Sequence, residues 1–276
     1  MESEIRKVEL FSDRISRPLK KPRYAVLDFD GTVSLIREGW QQIMTPYFTD
    51  ELCATPKGKT MSYEDVALIC REFITLLTGK QTIYQCIRLA EEIRAFGGTP
   101  EDPQVYKDEY VRRLLEKIDG RLKGLEEGSI DPETLTVPGS YELLEMLKSH
   151  GVDLYLASGT DEPHVLNEAR LLKVDRYFDG HIYGAQREYL TFSKKLVIER
   201  MIRENGLSGA ELIGFGDGYV EIENVRDAGG FAIGVATNER ERKGIDEWKR
   251  GRLIRAGANL IIPDYRGVGE LESQLF

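Results

Sequence analysis

Cysteine and histidine are scarce in this sequence, with three of each in 276 residues. Cys53, Cys70 and Cys86 keep no metal-ligand spacing, and an odd number cannot pair into a disulfide framework. Reduced thiols, mostly buried, in a cytoplasmic protein are therefore expected. His150, His164 and His181 form neither H-x-x-x-H nor H-E-x-x-H, so a zinc site of those types is excluded. No apolar run reaches about 18 residues, so no membrane span is expected. The N-terminus, MESEIRKVELF, lacks the apolar h-region of a signal peptide. Basic charge is also short: the net charge is −9. That argues against nucleic acid as a partner. It does not exclude an anionic substrate, because a metal or a few local cations reverse a local field. Two nucleotide signatures fail as well. The glycines around Asp217 miss G-x-G-x-x-G at Tyr219, and Gly58-Lys59-Thr60 has Cys53 where a P-loop needs glycine. There is no internal repeat and no biased tract.

What the sequence does have is alternation. Short, mostly apolar runs at 24–30, 153–158, 181–185, 211–217, 231–236 and 260–264 suit strands buried on both faces of a parallel sheet. Helical patterns lie between most of them, at 139–149, 163–173 and 194–205. Strands alternating with helices predict an α/β fold, a doubly wound, Rossmann-like parallel sheet. The interval after the first strand is too long for one crossover. Residues 38–137 read as an inserted α-helical cap domain, with an α/β core at 23–37 and 138–276 and an N-terminal extension at 1–22. Within the insertion, Ser62 with Asp65 resembles a capping box, and Asp102-Pro103 offers a cap with proline at the first helical position. An insertion there sits at the edge where open α/β sheets bind ligands, so a lid is expected.

The chemistry concentrates at strand ends. YAVLDFDGT places Asp28 and Asp30 two apart, which on a strand projects both from one face. Two such acids require either a shared proton or a cation. Mg²⁺, which takes a few carboxylates plus waters and phosphate oxygens, suits the second case. Ser158-Gly159 at another strand end offers a hydroxyl and backbone N–H groups suited to phosphate. Asp217 stands at a third strand end, with Glu221 four residues on. Lys194 and Lys195 open the helix before that strand, where cations are mildly unfavourable unless something holds them. Arg37, Trp40, Tyr84 and Arg88 are candidates to meet a sugar or carboxylate, but such residues are more often surface or cap-packing positions, and they are read as those.

Asp28-Phe29-Asp30-Gly31-Thr32, Ser158 in ASGT, a downstream lysine and Gly216-Asp217-x-x-x-Glu221 resemble, in order, the four motifs of the haloacid dehalogenase-like superfamily. The helical insertion and Pro138-Gly139 resemble its C1-capped branch of phosphoglycolate phosphatases and β-phosphoglucomutases. The resemblance implies a Mg²⁺-dependent phosphatase acting on a small phosphorylated metabolite through an aspartyl-phosphate. A phosphomutase or a non-catalytic phosphometabolite-binding protein are the alternatives. It implies Asp28 as nucleophile and Asp30 as acid–base. Thr32, Ser158, Gly159 and Lys194 would serve the phosphate, with Lys194 preferred over Lys195. Asp28, Asp30 through its carbonyl, Asp217 and Glu221 would serve the metal. A monomer or small homo-oligomer is expected.

Overall fold

The computed structural model describes residues 9–10, 17–189, 193–206 and 208–276. Most of the 1–22 extension, and Phe192 beside the two lysines, lie outside the described residues. The chain divides into two compact units, Met1–Glu38 with Leu122–Phe276, and Gly39–Arg121.

The first unit is built on one sheet. Its strands are β1 (Glu9–Leu10), β2 (Tyr24–Leu27), β3 (Asp153–Asp161), β4 (Ile182–Ala185), β5 (Leu212–Gly216), β6 (Phe231–Val235) and β7 (Leu260–Ile262), in the order β1-β7-β6-β5-β2-β3-β4. Strands β2 to β7 run parallel, and β1 joins β7 antiparallel. The sequence gives no sign of β1. A two-residue strand leaves no periodicity to read.

Both faces of the sheet are covered. Tyr24, Val26, Tyr155, Ala157, Leu212 and Ala232 pack with Val197, Ile198 and Met201 of α7 (Lys194–Asn205). Ile222 and Val225 of α8 (Tyr219–Asp227) and Leu253 and Ala256 of α9 (Glu247–Ala256) complete that layer. The alternate residues Ala25, Leu27, Leu154, Leu156, Ile213 and Phe215 are equally buried. By strand alternation they face the other way. Helix α5 (Ser140–Ser149) packs on β3, and α10 (Val268–Leu275) packs on α5. Helix α6 (Glu162–Leu171) follows β3.

The expected insertion at 38–137 differs from the observed division at its C-terminal side. Residues 122–137 belong with the sheet unit. The reason is backbone pairing: Leu35 N–H donates to the Leu135 carbonyl, Val137 N–H donates to that of Val33, and Ser34 bridges Thr136.

The second unit is helical. Helix α1 (Gln41–Cys53) packs on α2 (Tyr63–Leu76) and α3 (Thr82–Ala95). Helix α4 (Pro103–Glu126) completes the set, and the unit boundary falls inside it. Ser62 caps α2 by accepting from the Asp65 amide, and Asp102 accepts from the Gln104 amide at the start of α4. Phe48 and Phe73 stack in the interior with Leu52, Cys70, Ile74, Cys86 and Leu89, all buried. No helix among the described residues is long and apolar enough to cross a membrane.

Candidate active site

Strands β2, β3 and β5 are parallel neighbours, so their carboxyl ends open on one edge. The chain departs to β3 on one side of β2 and to β5, β6 and β7 on the other. Such a switch point is where open α/β sheets place ligands.

Asp28 follows β2 directly, its amide donating to the Phe215 carbonyl at 2.9 Å. The expected strand over 24–30 therefore stops at Leu27, and neither acid lies on it. Their side chains take separate partners as a result. The Lys194 ammonium lies 2.7 Å from Asp28 Oδ1 and also pairs with Glu221 Oε1. All three side chains are buried. Burial pushes the Asp28 carboxyl well above the usual carboxylate range; Lys194 opposes this, while Glu221 and Asp217 add to it. Burial also works against the charge on Lys194, but Asp28 and Glu221 outweigh it and hold the lysine above its ordinary pKa. Lys195 points away: its side chain is 66% exposed and pairs with Glu199. Ser193 caps α7 by accepting from the Leu196 amide, which fixes Lys194 in the first turn.

Asp30 is anchored elsewhere. Its Oδ2 accepts from Thr160 Oγ1 at 2.8 Å and from Ser158 Oγ at 3.3 Å. Ser158 Oγ in turn accepts from the Thr160 amide. Gly159 lies between them, where the β3–β4 register shifts. Burial raises the Asp30 pKa, Arg37 lowers it and Glu168 raises it again. Arg37 Nε is 3.9 Å from Asp30 Oδ1, while the guanidinium makes a forked pair with Glu168. Arg37 is 7% exposed and Glu168 1%, so the surface reading of Arg37 is corrected: it is a buried ion-pair partner.

Thr32 is fully buried. Its hydroxyl accepts from the Asp217 amide at 3.0 Å, and its carbonyl accepts from the Tyr265 hydroxyl. It thus ties the loop after β2 to the end of β5. Gly31 (φ +78°) lets that loop pass against Asp217, since an added Cβ would collide with Asp217 Oδ2. Gly216 does the same for Glu221, whose Cβ lies 2.5 Å from where a Cβ would stand.

Sequence reasoning passed over four residues. Thr160 stood beside ASGT and was readable as a second hydroxyl. Glu168, Lys249 and Glu239 had no motif. Lys249, in the first turn of α9, lies 2.7 Å from Asp217 Oδ2 and 2.5 Å from Glu239 Oε1.

The donor set suits a hard divalent cation. Asp28, Asp217 and Glu221 are carboxylates at adjoining element ends. Glu221 Oε2 is buried with no hydrogen-bond partner among the described residues. With all groups ionised, Asp28, Asp217, Glu221 and Glu239 against Lys194 and Lys249 leave a charge of −2. Among the described residues, no group of three or more His, Cys, Asp or Glu side chains is placed to hold a metal ion by itself. Mg²⁺ does not need one, because it keeps waters and substrate oxygens alongside one or two carboxylates.

Solved structures share this fold. A β-phosphoglucomutase from Clostridium difficile superposes with a TM-score of 0.62 at 15% identity, covering 92% of this chain and 97% of its own. A predicted phosphoglycolate phosphatase from Haemophilus somnus 129pt gives 0.58 at 14% identity, covering 92% and 99%. A HAD family hydrolase from Deinococcus radiodurans R1, with bound phosphate and sodium, gives 0.52 at 14%, covering 92% and 96%. No curated protein matches the chain in sequence. The family model of the haloacid dehalogenase-like hydrolases matches residues 22–229, from the start of β2 through α8. That span holds every motif named above and well over half of the sequence, so the chain belongs to the haloacid dehalogenase-like hydrolase family.

Proposed function

We propose that the chain is a Mg²⁺-dependent phosphatase that hydrolyses a small phosphorylated metabolite through an aspartyl-phosphate. The observation that carries this reading is the division of labour between the two acids. Asp28 is held by the buried Lys194, and Asp30 by Ser158 and Thr160. In the first step an Asp28 carboxylate oxygen attacks phosphorus in line, and the bond to the leaving oxygen breaks. Asp30, held by the Ser158 and Thr160 hydroxyls, gives its proton to that oxygen. In the second step Asp30 takes a proton from water, whose oxygen attacks the aspartyl-phosphate and releases inorganic phosphate with Asp28 restored.

Lys194, Ser158 and the Gly159 amide hold phosphoryl oxygens in this scheme. Thr32, whose hydroxyl accepts from the Asp217 amide, acts by holding the loop after β2 in place. Asp28, the Asp30 carbonyl, Asp217 and Glu221 would hold Mg²⁺, which when bound supplies charge neutralisation for the phosphoryl group. The phosphorylated ligands implied by the neighbours' names, a hexose phosphate or phosphoglycolate, set the first substrates to try.

A panel of phosphomonoesters assayed with MgCl₂ tests the reading. Asp28→Asn is expected to lower turnover by about 10³-fold or more with the circular dichroism and melting profile of the native fold retained. Hydrolysis by Asp28→Asn at the unaltered rate overturns the nucleophile assignment.

A further inference from the structure

Lys249 and Glu239 lie outside the four motifs, yet they complete the charge environment of Asp217. The Lys249 side chain is 10% exposed and that of Glu239 is 21% exposed. The ammonium bridges Asp217 Oδ2 and Glu239 Oε1. Burial works against its charge, and Asp217 and Glu239 outweigh that and hold its pKa high. Asp246 caps α9 by accepting from the Lys249 amide, so the lysine is fixed at the first turn of its helix. Both carboxylates approach Gly31, where an added Cβ would collide with Asp217 Oδ2 and crowd Glu239 Oε1.

We infer that Lys249 is a resident counter-cation of Asp217 that competes with Mg²⁺ for it, and that Glu239 draws the ammonium aside when the metal enters. The inference rests on the metal reading proposed above. Its logic is electrostatic. A metal ligand with an ammonium on one oxygen is a weaker ligand than a free one. A neighbouring carboxylate that shares the ammonium makes exchange cheap, because the lysine keeps a partner throughout. The pair thereby sets the metal affinity of the site below what its acids alone would give.

The two partners then have opposite effects. Isothermal titration of the full chain with MgCl₂ reads them without any substrate. Lys249→Met removes the competitor and is expected to bind Mg²⁺ about tenfold tighter than the unaltered chain, from one unit charge a few ångströms away. Glu239→Gln leaves the ammonium to Asp217 alone and is expected to bind about tenfold weaker. Lys249→Arg keeps the charge and must not reproduce the tightening. A purely structural role predicts weaker binding for all three, so Lys249→Met at or below the unaltered affinity overturns the inference. If Lys249→Met does not fold, Glu239→Gln decides: affinity unchanged or tighter overturns it too. Failure of the underlying reading looks different. It shows as no Mg²⁺ uptake by the unaltered chain, or as uptake by Asp217→Asn equal to it, and either result overturns the inference as well.

Discussion

At the residue scale, the least expected feature is the forked pair between Arg37 and Glu168 beside Asp30. Both charges are out of water, and neither belongs to a motif. Removing one partner of a buried pair strands the other, at a cost of about 3–5 kcal/mol. Glu168→Gln is therefore expected to lower stability by about that amount in urea unfolding. Arg37→Met combined with Glu168→Met should recover most of it, because neither partner of the forked pair is left alone. A double variant as unstable as the sum of the singles would show that the two act independently. Residues of this kind explain what the sequence hid. Asp28, Asp30, Ser158, Lys194 and Asp217 were legible because their spacing repeats a known order. Glu168 lies 131 positions from Arg37, and Lys249 pairs with Glu239 ten positions away and with Asp217 on another element. No local pattern encodes such a pairing.

At the element scale, legibility followed the strength of local signals. Helices α2 and α4 carry Ser62 and Asp102 as caps, and α5 and α7 have apolar positions at helical spacing. Their bounds fall within a residue or two of expectation where one was made. Helix α1 gave no such signal: Trp40 precedes it without a side-chain cap, and Pro46 lies inside it. The turn into α5 shows how a single glycine fixes an element. Gly139 has φ +83°, and a Cβ there would lie 2.5 Å from the Tyr265 carbonyl carbon. Gly151, after α5, has φ +75° with nothing within 4 Å. Gly151→Ala is expected to cost about 1–2 kcal/mol, the left-handed backbone penalty alone. Gly139→Ala should cost more, by about 1–3 kcal/mol for the clash. Equal melting temperatures for the two variants would remove the steric argument.

At the scale of the whole molecule, pH and chain connectivity both leave signatures. Cys70 and Cys86 are fully buried, and burial pushes each thiol up to about 12. The unfolded chain ionises its thiols near pH 8.5, roughly the ordinary cysteine value. Between that pH and 12 the folded protein holds more protons than the unfolded one. Stability is thus intact below about pH 8.5 and declines above it, by about 1.4 kcal/mol per pH unit for each thiol. Cys70→Ala with Cys86→Ala should flatten that alkaline slope in denaturant titrations from pH 8 to 10. The same slope in the double variant would assign it to other groups.

Connectivity acts on time rather than on stability. Strand β2 pairs with β3 on one side and with β5 on the other, and β5 ends at Gly216. The helical unit is the uninterrupted stretch Gly39–Arg121. During synthesis that stretch is complete while β2 still has neither neighbour. Local helical contacts form fast and long-range strand pairing slowly. Asp28, the proposed nucleophile, is thus among the first residues made and among the last to find its surroundings. Until β3 emerges, the apolar strand Tyr24–Leu27 has neither of its sheet partners, and it is the segment a chaperone has most reason to hold.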